Sequence, residues 1–187
     1  IYDEDGHLLR HEMYDDGKLD YVERERHYQN GQLIKEFEND DYGKTMNIHT
    51  YEYNEKGLVS KYIRDEVQNK DRRTYEYSYD DYNNCIKELV YDYENMLIAK
   101  TYRTYNENNQ LTETETEDLD SYRKITMEYV GNLVVKNSLF NKNNELQGWA
   151  EYTYDENGKE NSAREFIQDE VQPDHFRLLR ETRYERS

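Results

Sequence analysis

Tyr152-Thr-Tyr-Asp-Glu-Asn-Gly158 is the stretch that decides the fold. Tyrosines two residues apart share one face of an extended strand. The polar residues that follow are those of a tight reversal, and Gly at its end supplies positive φ without steric cost. The order Tyr, polar turn, apolar residue recurs as Tyr28-Gln-Asn-Gly-Gln-Leu33, Tyr53-Asn-Glu-Lys-Gly-Leu58, Tyr79-Asp-Asp-Tyr-Asn-Asn-Cys-Ile86, Tyr105-Asn-Glu-Asn-Asn-Gln-Leu111 and Tyr129-Val-Gly-Asn-Leu133. From position 28 through 53, 79, 105 and 129 to 154, these marked tyrosines step by 25, 26, 26, 24 and 25 residues. Two shorter copies, Tyr2-Asp-Glu-Asp-Gly6 and Tyr14-Asp-Asp-Gly17, precede them. Tyr62-Ile-Arg-Asp-Glu-Val-Gln68 also reappears as Phe166-Ile-Gln-Asp-Glu-Val-Gln172, an offset of 166 − 62 = 104 residues, or four periods of 26.

A second polar turn lies between successive marked tyrosines, at Asp40-Asp-Tyr-Gly43, Gln68-Asn-Lys-Asp71, Tyr93-Glu-Asn95, Asp118-Leu-Asp-Ser121 and Asn141-Lys-Asn-Asn144. Each period of about 25 residues is therefore two strands and two turns. Tyr75, Tyr77 and Tyr79 alternate with polar residues, as do Ile125, Met127 and Tyr129. That period of two predicts an all-β, antiparallel repeat meander running through residues 1–187 as a single domain. An open twisted sheet of about fourteen strands is expected to bend into a curved or scroll-like, elongated slab. Pro173 is placed in a turn, since a sheet interior would lose a ladder hydrogen bond there.

Composition agrees with a thin sheet. Only 34% of the 187 residues are hydrophobic and 21 of them are Tyr, too little aliphatic material for a thick core. The 36% charged content would favour disorder, but a 14% aromatic content opposes it, and Tyr rings can cover a sheet while their hydroxyls reach water. A net charge of −17 disfavours nucleic acid and anionic membrane surfaces as partners and favours a basic protein. The longest aliphatic run, Leu133-Val-Val135, is far too short for membrane insertion as a helix. Cys85 is the single cysteine, so no intrachain disulfide forms. A chain starting at Ile1 rather than Met implies an upstream segment, a signal peptide among the possibilities.

The repeat resembles the YD or RHS family, whose units read Tyr-x-Tyr-Asp-x-x-Gly followed by an apolar residue. Tyr152-Thr-Tyr-Asp-Glu-Asn-Gly158 matches throughout, whereas Tyr51-Glu-Tyr-Asn-Glu-Lys-Gly57 and Tyr77-Ser-Tyr-Asp80 match in part. The resemblance implies a β-repeat fold, in settings that include shells around toxin cargo, bacterial surface proteins and small antitoxin-like proteins.

No catalytic constellation emerges: there is no phosphate loop, no Gly-x-Ser-x-Gly elbow and no Cys/His pair. Cys85 reads as a small hydrophobe at a strand start. His7 and His11 are the pair nearest to a chelating arrangement, but ordinary surface histidines explain them. Asp3-Glu-Asp-Gly6 and Asp155-Glu-Asn-Gly158 lack the ligand order of a calcium loop, and hairpin turns account for both. The expectation is no enzyme, no cofactor and no metal.

Two features exceed this background. Thr112-Glu-Thr-Glu-Thr-Glu-Asp118 alternates Thr with Glu and has no apolar face, so Glu113, Glu115 and Glu117 form either a solvated strip that discourages edge pairing or a docking strip for a basic protein. Trp149 is out of phase with Tyr152 and Tyr154 and so shares a polar face with Glu151, and Tyr102 is likewise out of phase with Tyr105. An aromatic on a polar face is a binding anchor or is covered by a second layer. The leading expectation is an immunity protein or antitoxin-like binder of a basic partner, in the bacterial cytoplasm. The alternative is a structural segment of an RHS/YD shell or surface protein, partnered by adjacent repeats and secreted or surface-bound. A carbohydrate-active enzyme or lectin has only abundant Tyr and acids behind it.

Overall fold

The computed structural model describes residues 1–169 and 175–184, so Pro173 lies outside the described residues. The strands are β1 (Arg10–Asp15), β2 (Lys18–Gln29), β3 (Gln32–Asn39), β4 (Thr45–Tyr53), β5 (Val59–Glu66), β6 (Asp71–Tyr79) and β7 (Cys85–Tyr91). They continue as β8 (Leu97–Tyr105), β9 (Leu111–Asp118), β10 (Tyr122–Val130), β11 (Leu133–Phe140), β12 (Leu146–Tyr154), β13 (Glu160–Gln168) and β14 (Phe176–Arg183). Sheet order equals chain order through all fourteen strands, and no helix occurs among the described residues. The predicted antiparallel meander is the fold.

The turns explain why the sequence folds this way. Asp16-Gly17 and Asn30-Gly31 hold positive φ at both positions (45° and 74°, 51° and 76°), the two-residue reversal whose twist matches that of the flanking strands. The longer turns open on Asp40, Asn54, Asp80, Asp92, Asn106, Asn141 and Asp155. In each, the side-chain oxygen accepts from backbone N–H groups two and four residues on, as Asn54 does from Lys56 and Leu58 at 3.0 Å each. The third residue after the opener takes φ between 61° and 78°, and it is Gly43, Gly57 or Gly158, or else Asn83, Asn95, Asn109 or Asn144. Asn replaces Gly there because it tolerates the left-handed region better than other side-chain-bearing residues.

Five of the six marked tyrosines, Tyr28, Tyr53, Tyr105, Tyr129 and Tyr154, close their own repeats. The hydroxyl donates to the carbonyl of a residue at or near the start of the strand segment following the previous marked tyrosine: Tyr28 to Leu8 (3.4 Å), Tyr53 to Leu33 (2.7 Å), Tyr105 to Cys85 (3.3 Å), Tyr129 to Leu111 (2.8 Å) and Tyr154 to Val134 (2.7 Å). Burial raises the phenol pKa of Tyr53, Tyr105 and Tyr154, so the donor form is kept.

The chain divides into two compact units, Ile1–Ser78 with Glu88–Ile98, and Tyr79–Lys87 with Ala99–Ser187. In the first, Tyr51 and Tyr75 flank Tyr62 with ring centroids 5.2 and 5.3 Å from it, and His49 Nδ1 lies 2.7 Å from the Tyr62 hydroxyl. Burial, helped by neighbouring Tyr62 and Glu36, pushes the Tyr51 phenol up to about 12. The opposite face carries a row of small and branched side chains, Thr50–Ile63–Thr74, of which Ile63 and Thr74 are buried. In the second unit Ala150 and Ala163 are buried on the face of Tyr152, and Ser138 is buried opposite Trp149. Gly148 is required by contact: a Cβ there would stand 2.5 Å from the Phe166 carbonyl oxygen. No large side chain is fully buried among the described residues, as a sheet that covers itself with long side chains requires.

Candidate protein-docking face

Register places all six residues singled out in the sequence on one face of the second unit. On β8 and β9, Tyr102 opposes Glu115, Lys100 opposes Glu117 and Thr104 opposes Glu113. From Glu113 a transverse row continues through Thr126 and Ser138 to Trp149, then Phe166 and Leu178. A neighbouring row alternates in sign strand by strand: Glu128, Lys136, Glu151, Arg164, Glu181.

The Thr/Glu strand is not a bare run of negative charge. Glu117 accepts from Lys100 Nζ at 2.7 Å and Lys142 Nζ at 2.6 Å, which together pull its carboxyl down to about 2. Glu113 pairs with Lys124 Nζ at 3.0 Å, and Glu115 opposes Lys124 across the register. These are surface pairs screened by solvent, and a competing cation can exchange for them.

Trp149 belongs to a three-ring cluster. Phe166 stacks on the indole at 4.6 Å and 14°, and Phe176 meets it edge-on at 4.8 Å and 62°. Indole Nε1–H donates to Glu151 at 3.0 Å, and Lys136 Nζ lies 5.9 Å from the ring centroid. Trp149 is half-buried, while Leu178 in the same row is 50% exposed and Tyr102 is 42% exposed. The arrangement presents an apolar centre with a charged margin, the anatomy of a protein interface.

Sequence reasoning missed Phe166 and Phe176. The 104-residue match had paired Phe166 with Tyr62, but it is not a structural equivalence. Tyr62 opposes Tyr51 and Ala163 opposes Tyr152, so Ala163 occupies the place of Tyr62 and Phe166 turns to the other face.

Two groups elsewhere bring carboxylate and imidazole atoms within 4.8 Å of one another: Asp3, Asp5 and His7, and Glu36, Glu38 and His49. His7 is paired with Asp3 at 2.9 Å and stacks on Tyr28, whereas His11 pairs with Glu23 at 2.6 Å, so the two histidines are held by different carboxylates. Glu36 is bound by Arg26, and Glu38 by Arg24 at 3.0 Å and Asn47 at 3.0 Å. Burial works against the charged form of Glu38, but hydrogen bonds from Asn47 and His49 outweigh it and lower its pKa. Arginines already balance Glu36 and Glu38, and a divalent ion there would have to displace them.

No protein-family model matches the chain, and no curated protein does. Among solved structures, a porin-like protein from Bacteroides uniformis ATCC 8492 aligns with a TM-score of 0.53 at 13% identity, over 97% of this chain and 86% of that one. A Bacteroides fragilis NCTC 9343 protein of unknown function reaches 0.23 at 12% identity, over 86% and 90%. A chain of the TcdB2-TccC3-Cdc42 complex reaches 0.25 at 14% identity, over 91% of this chain and 13% of that one. The first likeness is one of fold, and the other two scores are too low to define a common fold. The class these observations establish is an all-β meander of antiparallel strands built from hairpin repeats.

Proposed function

We propose that this chain is a non-catalytic acidic repeat protein that binds, and thereby neutralises, a basic protein partner in the manner of an immunity protein or antitoxin. The observation that carries the reading is the Trp149–Phe166–Phe176 cluster, set on a charged face of a chain with net charge −17. Aromatic anchors supply residence time and the long-range field supplies encounter rate. A YD-like repeat suits the role, since its recurring tyrosine ties sit at strand ends and leave the strand centres to carry recognition.

The test is affinity capture with tagged wild type and with Trp149→Ala, followed by co-expression of the captured protein with either form. A basic protein held by wild type, lost by Trp149→Ala, and less toxic when co-expressed with wild type is the expected result. A second reading, a structural segment of a YD-type shell or surface protein, is favoured by the recurrence of the tyrosine tie from repeat to repeat. That reading gains if the native gene encodes many more such periods and capture returns no basic protein.

A further inference from the structure

We infer that Trp149, Glu151 and Glu128 form a receptor for a single cationic side chain, lysine or arginine, of the partner, and that the protein's own Lys136 holds the place until the partner arrives. This rests on the reading of the face as a docking surface for a basic protein.

Phe166 on β13 covers one face of the indole. Lys136, on the strand at the other side of β12, extends its ammonium toward the ring, 5.9 Å from the centroid. Its ion-pair partner Glu128 is 3.9 Å away, at the limit of an ion pair, and Glu151 opposes Lys136 in the register. Glu151 is itself oriented by the indole N–H at 3.0 Å. One cation thus faces two carboxylates and an aromatic ring, with its Glu128 and indole contacts both at their outer limits. A cation is attracted to an indole face within about 6 Å, and more strongly when it is desolvated. Lys136 comes from the sheet beneath and keeps its ammonium at that outer limit. A side chain arriving from solvent approaches without that tether and is desolvated by the partner's own surface.

The protein has one tryptophan, so its emission reports on this site alone. Titration of the whole chain with a hexa-arginine peptide should change Trp149 emission along the same isotherm as peptide anisotropy. Glu151→Gln should weaken binding at least about fivefold, in line with loss of a charge-assisted contact. Glu55→Gln, the same charge change in a turn of the first unit, should leave affinity within twofold. Lys136→Met should tighten binding severalfold, because the place is then vacant; if Lys136 is merely structural, the variant binds no better than wild type, and the placeholder inference is overturned. Peptide that binds by anisotropy without moving Trp149 emission, or equally well to Glu151→Gln, overturns the receptor while leaving the docking proposal standing. Peptide that fails to bind wild type at all removes both.

Discussion

Glu113 and Trp149 stand in one transverse row of the second unit, linked through Thr126 and Ser138 by direct register. Three strand steps of about 4.8 Å separate them by roughly 14 Å, well inside the footprint of an ordinary protein interface. One partner can therefore touch both. Replacing Glu113, Glu115 and Glu117 with Gln should slow association with the partner and flatten its salt dependence, while Trp149→Ala should speed dissociation by an amount worth about 2 kcal/mol or more. Stopped-flow or surface-based kinetics at two ionic strengths check this. Wild-type behaviour in both variants would remove the face from consideration.

The tyrosine ties make a stability prediction. Tyr53→Phe and Tyr154→Phe each delete one hydroxyl-to-carbonyl bond of 2.7 Å and should each cost about 1 kcal/mol in urea unfolding. The two lie in different units and share no partner, so the double variant should show the sum. A cost near zero would mean water replaces the tie.

Acid should weaken the second unit through Glu117. Its carboxyl sits at about 2 in the folded chain against 4.5 ordinarily, because Lys100 and Lys142 bind the charged form. A depressed carboxyl stabilises fully above pH of about 4.5, and that contribution disappears as pH falls through about 2. Urea midpoints between pH 6 and pH 2 should therefore fall more steeply for wild type than for Glu117→Gln. Parallel slopes would show that the lysine pairs are not held in solution.

Two glycines should answer differently to substitution. Gly148→Ala drives a Cβ against the Phe166 carbonyl at 2.5 Å and should cost about 1–3 kcal/mol while disturbing Trp149 emission. Gly158→Asn keeps a residue type that four equivalent turns already use at positive φ, so its cost should stay below about 1 kcal/mol. Thermal melts settle the order.

The meander was legible because its signals are local. A Tyr pair, an Asp or Asn opener and a Gly or Asn at positive φ each act within a few residues, and their spacing counts the strands. The face chemistry was legible by half. Trp149 and Glu151 share a strand, so parity alone puts them together, and parity also separates Tyr102 from Tyr105. Parity cannot say that Phe166 and Phe176 reach Trp149 from later strands, since this depends on register, and each bulge resets register by one residue. The lysines on Glu113 and Glu117 were hidden for the same reason: Lys124 and Lys142 come from neighbouring or more distant parts of the chain.

The bonds from Tyr28, Tyr53, Tyr105, Tyr129 and Tyr154 to a carbonyl at or near the beginning of their own periods bear on how such a gene can change over generations. Duplication or loss of one whole period leaves every surviving tie with a donor and an acceptor, whereas a single inserted residue within a strand breaks one. Length is therefore inherited in quanta of about 25 residues. Strand centres are not bound by this constraint and can drift independently, as the ion-paired Glu36 row and the Trp149 row already differ. A few mid-strand residues can thus change the chemistry of a face without renegotiating the scaffold that presents them.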